Sequence, residues 1–214
     1  MAQGFSVLLL ASTDPRRLKT PRALLPFGDT SILGRTLQAY IGLKPKEIIV
    51  VSADSAERIE ESIGKAVESI NLISVPDARG KVGLGIKLGL ERLESEPQVL
   101  MIGLGDQPLL TKELLQSLLK KFEEGKGTIG VPVSQGIPGH PVIFAAEHLE
   151  ALRALGDEDN YRSILLAHSE AISDSHFDET SFLRTAENPD EYRELLRLAG
   201  LPVPTPPQQV RQHY

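Results

Sequence analysis

A group of cationic residues follows the first strongly apolar segment of this sequence. The apolar segment FSVLLLA, residues 5–11, leads directly into STDPRRLKTPR, residues 12–22. The cationic residues of that second segment are Arg16, Arg17, Lys19 and Arg22. Arginine binds phosphate oxygens through paired hydrogen bonds, and lysine adds a compact charge. The group therefore predicts a polyphosphate-binding loop, and a solvated basic loop is the alternative that the spacing leaves open.

A carboxylate follows a second apolar segment in the same way. Asp106 stands in GDQP, residues 105–108, directly after the apolar residues 99–104. In proteins, Mg²⁺ is usually held by one or two carboxylates together with substrate phosphates and water. Asp106 is thus a candidate Mg²⁺ ligand facing a phosphorylated substrate. An aspartate that forms a turn or caps a helix is the alternative.

Two further loops carry weaker signals. RGKVGLG, residues 79–85, precedes a helical segment, where glycines let backbone amides approach an anion, but its spacing matches neither the P-loop nor the dinucleotide-binding fingerprint. His140 stands in GIPGHP, residues 136–141, at the start of an apolar segment. It could exchange a hydrogen bond with a substrate, and a structural histidine is the alternative.

The segments between these loops alternate between two periodicities. Short apolar runs predict buried strands at residues 5–11, 46–53 and 97–104. Amphipathic helices are predicted at residues 31–41, 56–69, 83–93 and 111–123, the last with Thr111 as its N-cap. This alternation predicts βαβ units, a largely parallel sheet and helices on both of its faces.

The pattern changes after Gly125. Short strands at residues 128–133 and 141–144 predict an antiparallel element at one side of the sheet, and three further helices are predicted at residues 147–155, 161–168 and 191–198. Ligands of open α/β sheets bind outside the carboxyl ends of the strands. The loops described above are therefore expected to meet at one edge.

Composition limits the classes of function. The chain has 214 residues, 41% of them hydrophobic, no cysteine and a net charge of −6. These values predict one globular domain, residues 1–200, with a proline-rich tail, residues 201–214. The negative net charge argues against a nucleic acid as partner. The absence of cysteine, and an apolar amino-terminal run too short for a signal peptide, favour a cytoplasmic protein without a membrane partner.

Four motifs occur in a familiar order and spacing: LLPFG at 24–28, LGDQPL at 104–109, GHPVIF at 139–144 and GDEDNYRSIL at 156–165. Together they resemble the molybdenum cofactor nucleotidyltransferases, and in particular their cytidylyltransferases, over residues 7–195. The resemblance implies a three-layer α/β/α, Rossmann-like fold of the nucleotide-diphospho-sugar transferase type, with a mixed, mostly parallel sheet.

The chain departs from this family at both ends of the site. The family signature L-A-A-G-x-S-x-R-M-G-x-x-K is replaced by a segment in which Thr13 stands for a glycine, Lys19 for a glycine and Arg22 for the lysine, while Arg17 keeps the arginine. A Cβ at Thr13 obstructs close approach of the backbone to phosphate. Near the carboxyl terminus, only Glu187 keeps a carboxylate at a metal position.

The resemblance implies transfer of CMP from CTP to the phosphate of a molybdopterin-type cofactor, with release of pyrophosphate and with Mg²⁺ as the metal. It implies catalytic roles for Arg17, Arg22 and Asp106. It implies nucleotide binding by Ala11, Ser12, Thr13, Lys19, Arg22, Gly80 and Asp106. It implies acceptor binding by Lys81, Gly139, His140 and Arg162, and metal binding by Asp106 and Glu187.

Two other hypotheses remain open at this point. The altered signature is also compatible with a non-catalytic protein that binds the cofactor or inserts it into a molybdenum hydroxylase. Alternatively, the chain transfers a nucleotide to another phosphorylated acceptor, such as a sugar phosphate.

Overall fold

The computed structural model describes residues 4–11 and 20–204. The predicted site residues Ser12, Thr13, Arg17 and Lys19 lie outside the described residues, as does the part of the proline-rich tail from residue 205 onward.

Two sheets account for all the strands of the described residues. Numbered along the chain, the strands are β1 (Phe5–Leu10), β2 (Pro26–Phe27), β3 (Thr30–Ser31), β4 (Ile48–Ser52), β5 (Asn71–Ser74), β6 (Val99–Leu104), β7 (Ile129–Ser134), β8 (Ile137–Pro138), β9 (Val142–Ala145) and β10 (Ile172–Phe177). The main sheet has eight strands in the order β10-β7-β9-β6-β1-β4-β5, with β8 beside β7, and β2 and β3 form a separate antiparallel pair.

The main sheet is mostly parallel, as predicted. Strand β1 lies parallel to both β4 and β6, with Val7 opposite Ile48 on one side and Met101 on the other. The antiparallel strand β9 lies between β6 and β7, inside the sheet and not at its side. Strand β1 is buried along its whole length, and all its residues except Ser6 are apolar, because helices cover both of its faces.

Seven α-helices lie within the described residues. They are α1 (Ile32–Ile41), α2 (Ala56–Ile63), α3 (Val82–Glu91), α4 (Lys112–Glu124), α5 (Leu149–Arg153), α6 (Arg162–Ala167) and α7 (Pro189–Leu198). Helix α4 begins where predicted, because the Thr111 side chain accepts a hydrogen bond from the amide of Leu114. Helix α2 ends earlier than predicted, because Gly64 takes a φ of +56° and a 3₁₀ turn follows.

The side chains of β1 alternate between the two faces of the sheet. Val7 and Leu9 pack with residues of α1, α2 and α4, whereas Leu8 and Leu10 pack with residues of α3, α5 and α6. This arrangement is the three-layer α/β/α architecture that the sequence predicts. None of the helices in residues 4–11 and 20–204 is both long enough and apolar enough to span a membrane.

A third, smaller apolar cluster lies outside the three layers. It joins Phe27 of β2 and Ile32 of α1 to Leu195 and Leu196 of α7. Leu201 also packs against this cluster, and its amide donates a hydrogen bond to the carbonyl of Leu196 at 2.8 Å. The hairpin formed by β2 and β3 is thereby fixed to α7.

Candidate active site

The carboxyl ends of β1 and β6 lie side by side, as expected for neighbouring parallel strands. Ala11 directly follows β1, and its amide donates to the carbonyl of Val51 at 2.8 Å. Gly105 directly follows β6, and its amide donates to the carbonyl of Leu10 at 2.9 Å. A Cβ added to Gly105 would lie 2.9 Å from the Cβ of Ala11, so only glycine permits this approach. Asp106 therefore follows a glycine that is held beside Ala11 at the carboxyl end of β1.

Arg22 connects two carboxylates at this position. Its Nε lies 3.1 Å from Oδ2 of Asp106, and its Nη1 lies 3.7 Å from Oε1 of Glu187. The Asp106 side chain is 1% exposed, whereas that of Glu187 is 66% exposed. Three residues that the sequence analysis assigned to catalysis and metal binding thus meet in space.

The environment of Asp106 opposes its charge. Burial raises the pKa of Asp106 above its ordinary value, and the adjacent Arg22 guanidinium acts in the opposite direction without cancelling this effect. Within the part of the chain that the structure describes, neither oxygen of Asp106 nor Nε of Arg22 has a hydrogen bond of regular geometry. A buried carboxylate without regular hydrogen bonds is stabilised by a further cation.

These residues fit a Mg²⁺ ion that is held jointly with a substrate. Asp106 offers two oxygens without hydrogen-bond partners among the described residues, and Glu187 reaches the same guanidinium from the other side. Residues 4–11 and 20–204 contain no group of three or more metal-binding side chains. The remaining ligands of such an ion would come from phosphate oxygens and water, as is usual for Mg²⁺.

Gln107 links the Asp106 loop to the opposite wall of the site. Its side chain is fully buried, and its Nε2 donates to the carbonyl of Phe182 at 2.8 Å. The same carbonyl accepts a hydrogen bond from the amide of His140 at 3.1 Å. A Cβ on Gly139 would lie 2.6 Å from that carbonyl oxygen, and the Gly139 amide is already bonded to the carbonyl of Pro132. Gly139 therefore provides close packing beneath His140.

His140 is bonded to a buried tyrosine. Its Nδ1 lies 2.7 Å from the hydroxyl oxygen of Tyr161, the residue that precedes α6, and the two rings meet edge to face. Burial and, to a lesser degree, the neighbouring Arg162 cation lower the pKa of His140 to about 4. His140 is therefore uncharged at neutral pH.

The glycine-rich segment at residues 79–85 contacts a neighbouring loop where α3 begins. The amides of Gly83 and Leu84, at the start of α3, donate to the carbonyls of Asp159 and Asp157 at 2.9 Å and 3.1 Å. These two amides are therefore not free to bind an anion. The roles predicted for Gly80 and Lys81 stay predictions. A Cβ on Gly83 would lie 2.0 Å from the carbonyl oxygen of Gly156, so this glycine allows the 156–160 loop to dock on α3.

The docked loop also connects Lys81 to the segment that carries Tyr161 and Arg162. Lys81 lies 3.4 Å from Glu158 in an ion pair, and the loop continues into Tyr161 and Arg162. Lys81, His140 and Arg162, which the sequence analysis assigned to the acceptor, are thus carried by elements that contact one another. Gly80 takes a φ of +73° in the turn before α3, and a Cβ added to it would have no described atom within 4 Å.

Two residues of this region escaped the sequence analysis. Gln107 lies inside a motif that was recognised, but its buried link to Phe182 depends on a contact distant in sequence. Tyr161 lies inside the predicted helix 161–168, where its spacing resembles that of any core aromatic. An aromatic residue followed by arginine, beside a loop of four polar residues, is the signal that was available.

Comparison with known proteins relates this chain to a family of NTP transferases. Residues 7–172 match the family model described as the MobA-like NTP transferase domain. The bifunctional protein GlmU of Kineococcus radiotolerans is 28% identical over 129 residues, which cover 59% of this chain and 26% of that protein. The chain thus spans only about a quarter of the length of this curated relative.

Solved structures share the fold. Rv0371c from Mycobacterium tuberculosis H37Rv is 21% identical with a TM-score of 0.78, and the match covers 92% of this chain and 100% of that one. A structure of Rv0371c in complex with manganese has a TM-score of 0.76 at 21% identity, covering 92% and 100%. A nucleotidyl transferase from Methanothermobacter thermautotroptrophicus (Mth528) has a TM-score of 0.74 at 16% identity, covering 91% of this chain and 96% of that one.

Proposed function

The chain belongs to the MobA-like NTP transferase domain family, and from this membership we propose that it transfers CMP from CTP to the phosphate of a molybdopterin-type cofactor, with release of pyrophosphate. The observation that carries the proposal is the contact between Arg22, Asp106 and Glu187 beside the end of β1. This is where a nucleoside triphosphate binds in open α/β sheets. The choice of cytidine and of the acceptor depends on the resemblance of LGDQPL and GHPVIF to the cytidylyltransferases.

The reaction is an in-line substitution at phosphorus. An oxygen of the acceptor phosphate attacks the α-phosphorus of CTP, a new P–O bond forms, and the bond to the bridging oxygen of the β-phosphate breaks. The electron pair leaves with pyrophosphate. The attacking phosphate is already an anion, so no general base is required, and catalysis consists of positioning and charge neutralisation.

Arg22 is the described cation best placed for that neutralisation. Its guanidinium is 16% exposed and already lies between two carboxylates, so phosphate oxygens that enter here meet a positioned donor. In the same proposal, Arg17 and Lys19 add charge from the basic loop, and the backbone of Ala11, Ser12, Thr13 and Gly80 lies along the nucleotide. Lys81, Gly139, His140 and Arg162 form the acceptor side.

Mg²⁺ bound by Asp106 and Glu187 would supply charge neutralisation at the phosphate oxygens. In its absence, Asp106 is a buried carboxylate whose charge is only partly compensated by Arg22. A divalent cation bound here together with a triphosphate would compensate the charge of Asp106 further. Nucleotide and metal are therefore expected to bind more tightly together than separately.

Thermal unfolding with CTP, GTP, ATP and UTP, each with and without Mg²⁺, tests the proposal. A ligand of the native state at a hundredfold excess over its Kd stabilises by about 2.7 kcal/mol. We expect a Mg²⁺-dependent shift selective for CTP, followed by pyrophosphate release when molybdopterin is added. Absence of a shift with every nucleotide would contradict the proposal and favour a cofactor carrier.

Matched variants separate site effects from effects on net charge. Glu187→Gln removes the carboxylate 3.7 Å from Arg22, whereas Glu194→Gln removes one from α7 that pairs with Arg197 instead. We expect only Glu187→Gln to reduce the Mg²⁺-dependent part of the CTP shift. A panel of phosphorylated acceptors then distinguishes molybdopterin from a sugar phosphate.

A further inference from the structure

Tyr161 and His140 form a hydrogen-bonded pair of unequal exposure. Tyr161 is 3% exposed and packs edge to face against Phe144, whereas His140 is partly exposed. The Tyr161 hydroxyl lies 2.7 Å from Nδ1 of His140 and 3.5 Å from Nε2. Only the shorter of these contacts has the distance of a hydrogen bond between a hydroxyl and a ring nitrogen. The buried tyrosine therefore engages one nitrogen of the imidazole and leaves the other free of it.

The direction of this hydrogen bond follows from the surroundings of the tyrosine. Among the described residues, His140 is the only hydrogen-bond partner of the Tyr161 hydroxyl. A buried hydroxyl that finds no acceptor for its proton destabilises the folded protein. The Tyr161 hydroxyl therefore donates its hydrogen bond to Nδ1 of His140. Nδ1 must then be unprotonated. In a neutral imidazole the proton consequently resides on Nε2.

Neighbouring groups keep the ring in this neutral form. Burial lowers the pKa of His140, and the positive charge of Arg162, which follows Tyr161 directly, lowers it further. The backbone of His140 is also fixed, since its amide donates to the Phe182 carbonyl that Gln107 holds. The ring is thus constrained in position from the backbone and in tautomer from Tyr161.

We propose that Tyr161 is a positioning residue that holds His140 as the Nε2–H tautomer, so that Nε2 donates an uncharged hydrogen bond to an oxygen atom of the phosphorylated acceptor beside the Arg162 cation. This inference rests on the proposed function, because it assigns the acceptor side of the same site. In this arrangement Arg162 pairs with the negative charge of the phosphate, and Nε2 of His140 donates to a lone pair of an adjacent oxygen. An acceptor that presents a hydrogen-bond donor at this point would be rejected, because two donors would face each other.

Nitrogen-15 NMR of the full chain tests the tautomer without any substrate. Imidazole ¹⁵N shifts distinguish protonated from unprotonated nitrogens, and His140→Gln identifies the signals of His140 among the five histidines. We expect an unprotonated Nδ1 and a protonated Nε2 at pH 7. In Tyr161→Phe, which retains the buried ring, we expect a mixture of the two tautomers. A protonated Nδ1 in the wild type, or an unchanged pattern in Tyr161→Phe, would overturn the proposal.

Tyr40→Phe is the matched control for this substitution. Tyr40 is also fully buried, but its hydroxyl has no hydrogen-bond partner among the described residues. The control removes the same atom from a buried ring and is expected to leave the His140 signals unchanged. A similar change in both variants would point to a general loosening of the fold and overturn the specific role of Tyr161.

Binding of molybdopterin in the absence of CTP then tests the acceptor role. Loss of one neutral hydrogen bond lowers affinity by about fivefold, so we expect Kd to rise by roughly this factor in His140→Gln. In Tyr161→Phe, part of the His140 population keeps the Nε2–H form, so we expect a smaller rise in Kd, equal to the inverse of that fraction. In turnover with CTP, KM for molybdopterin rises and kcat is unchanged. Equal Kd in wild type and Tyr161→Phe would overturn the acceptor role. If the wild type binds molybdopterin in a Tyr161-dependent way without transferring CMP, the positioning role stands and the proposed function fails.

Discussion

Burial of Asp106 links the stability of the fold to the charge of this carboxyl. Because burial raises the folded-state pKa of Asp106 above its unfolded value, this carboxyl contributes to stability while it is protonated, and that contribution is lost as pH rises through the folded-state pKa. We expect Asp106→Asn to lower the rate of CMP transfer by about 100-fold or more, while raising the free energy of unfolding at neutral pH. Kinetic assays and urea denaturation measure the two effects.

The pH dependence of this comparison provides its control. At a pH below the ordinary range of aspartate, the wild-type carboxyl is protonated and resembles the amide. The stability difference between wild type and Asp106→Asn should therefore disappear there and grow as pH rises. A variant less stable than the wild type at neutral pH would show that the Arg22 contact outweighs the burial of the carboxylate.

Tyr40 carries a buried polar atom outside the site. Its ring is fully buried, the hydroxyl has no partner among the described residues, and burial raises its pKa above the ordinary value for tyrosine. We expect Tyr40→Phe to raise the free energy of unfolding by about 1 kcal/mol, because the desolvated hydroxyl is removed and no hydrogen bond is lost. Chemical denaturation measures the change, and a destabilised variant would contradict the absence of a partner.

Single residues of the site differ in how far the sequence could predict them. The proximity of Arg22 to Asp106 was predictable, because each follows a buried strand and the carboxyl ends of neighbouring parallel strands share an edge. The bond between His140 and Tyr161 was not, since it depends on how the loop at residues 156–160 docks on α3. Hydrophobic periodicity predicts that Tyr161 is buried, but it does not predict the hydrogen-bond partner of its hydroxyl.

At the scale of elements, the start of α3 is a docking surface for that loop. A Cβ on Gly83 would lie 2.0 Å from a backbone oxygen, which cannot move independently, whereas a Cβ on Gly85 would lie 3.2 Å from the flexible end of Leu10. We expect Gly83→Ala to destabilise the protein by about 2 kcal/mol and to disturb the ¹⁵N pattern of His140. Gly85→Ala is the control, because the gain in helix propensity offsets part of its tighter packing. Equal effects of both variants would contradict the docking role.

The strands of the main sheet that the sequence predicted correctly are buried on both faces. Strands β1, β4 and β6 are continuous apolar runs, and their burial fixes both their type and their place. The edge strands β5 and β10 were missed, because about half of their residues face solvent and their sequences, NLIS and ISDSHF, are polar. Edge strands are defined by their single neighbour, which local sequence does not report.

At the scale of the whole molecule, the site depends on parts that lie far apart in the chain. Arg22 precedes the β2–β3 hairpin, Glu187 precedes α7, and the third apolar cluster joins these two elements through Phe27 and Leu195. Tyr192 adds a polar link, since its hydroxyl donates to the carbonyl of Pro26 at 2.6 Å. The distance between Arg22 and Glu187 is therefore set by packing outside the three-layer core.

This dependence predicts that a core substitution can weaken nucleotide binding at a distance. Leu195→Ala and Leu152→Ala each remove a fully buried leucine, at 2% and 0% exposure, and each should cost about 2–4 kcal/mol of unfolding free energy. Leu195 supports the contact between Arg22 and Glu187, whereas Leu152 lies on the opposite face of the main sheet with α3 and α5. Under conditions where both variants remain folded, we expect only Leu195→Ala to raise the Kd for CTP with Mg²⁺, measured by calorimetry. The cavity left by Leu195 is expected to displace α7, which Glu187 precedes, and to leave the strand that ends before Asp106 in place. Equal Kd values in the two variants would therefore mean that Asp106 and Arg22 bind the nucleotide without help from Glu187.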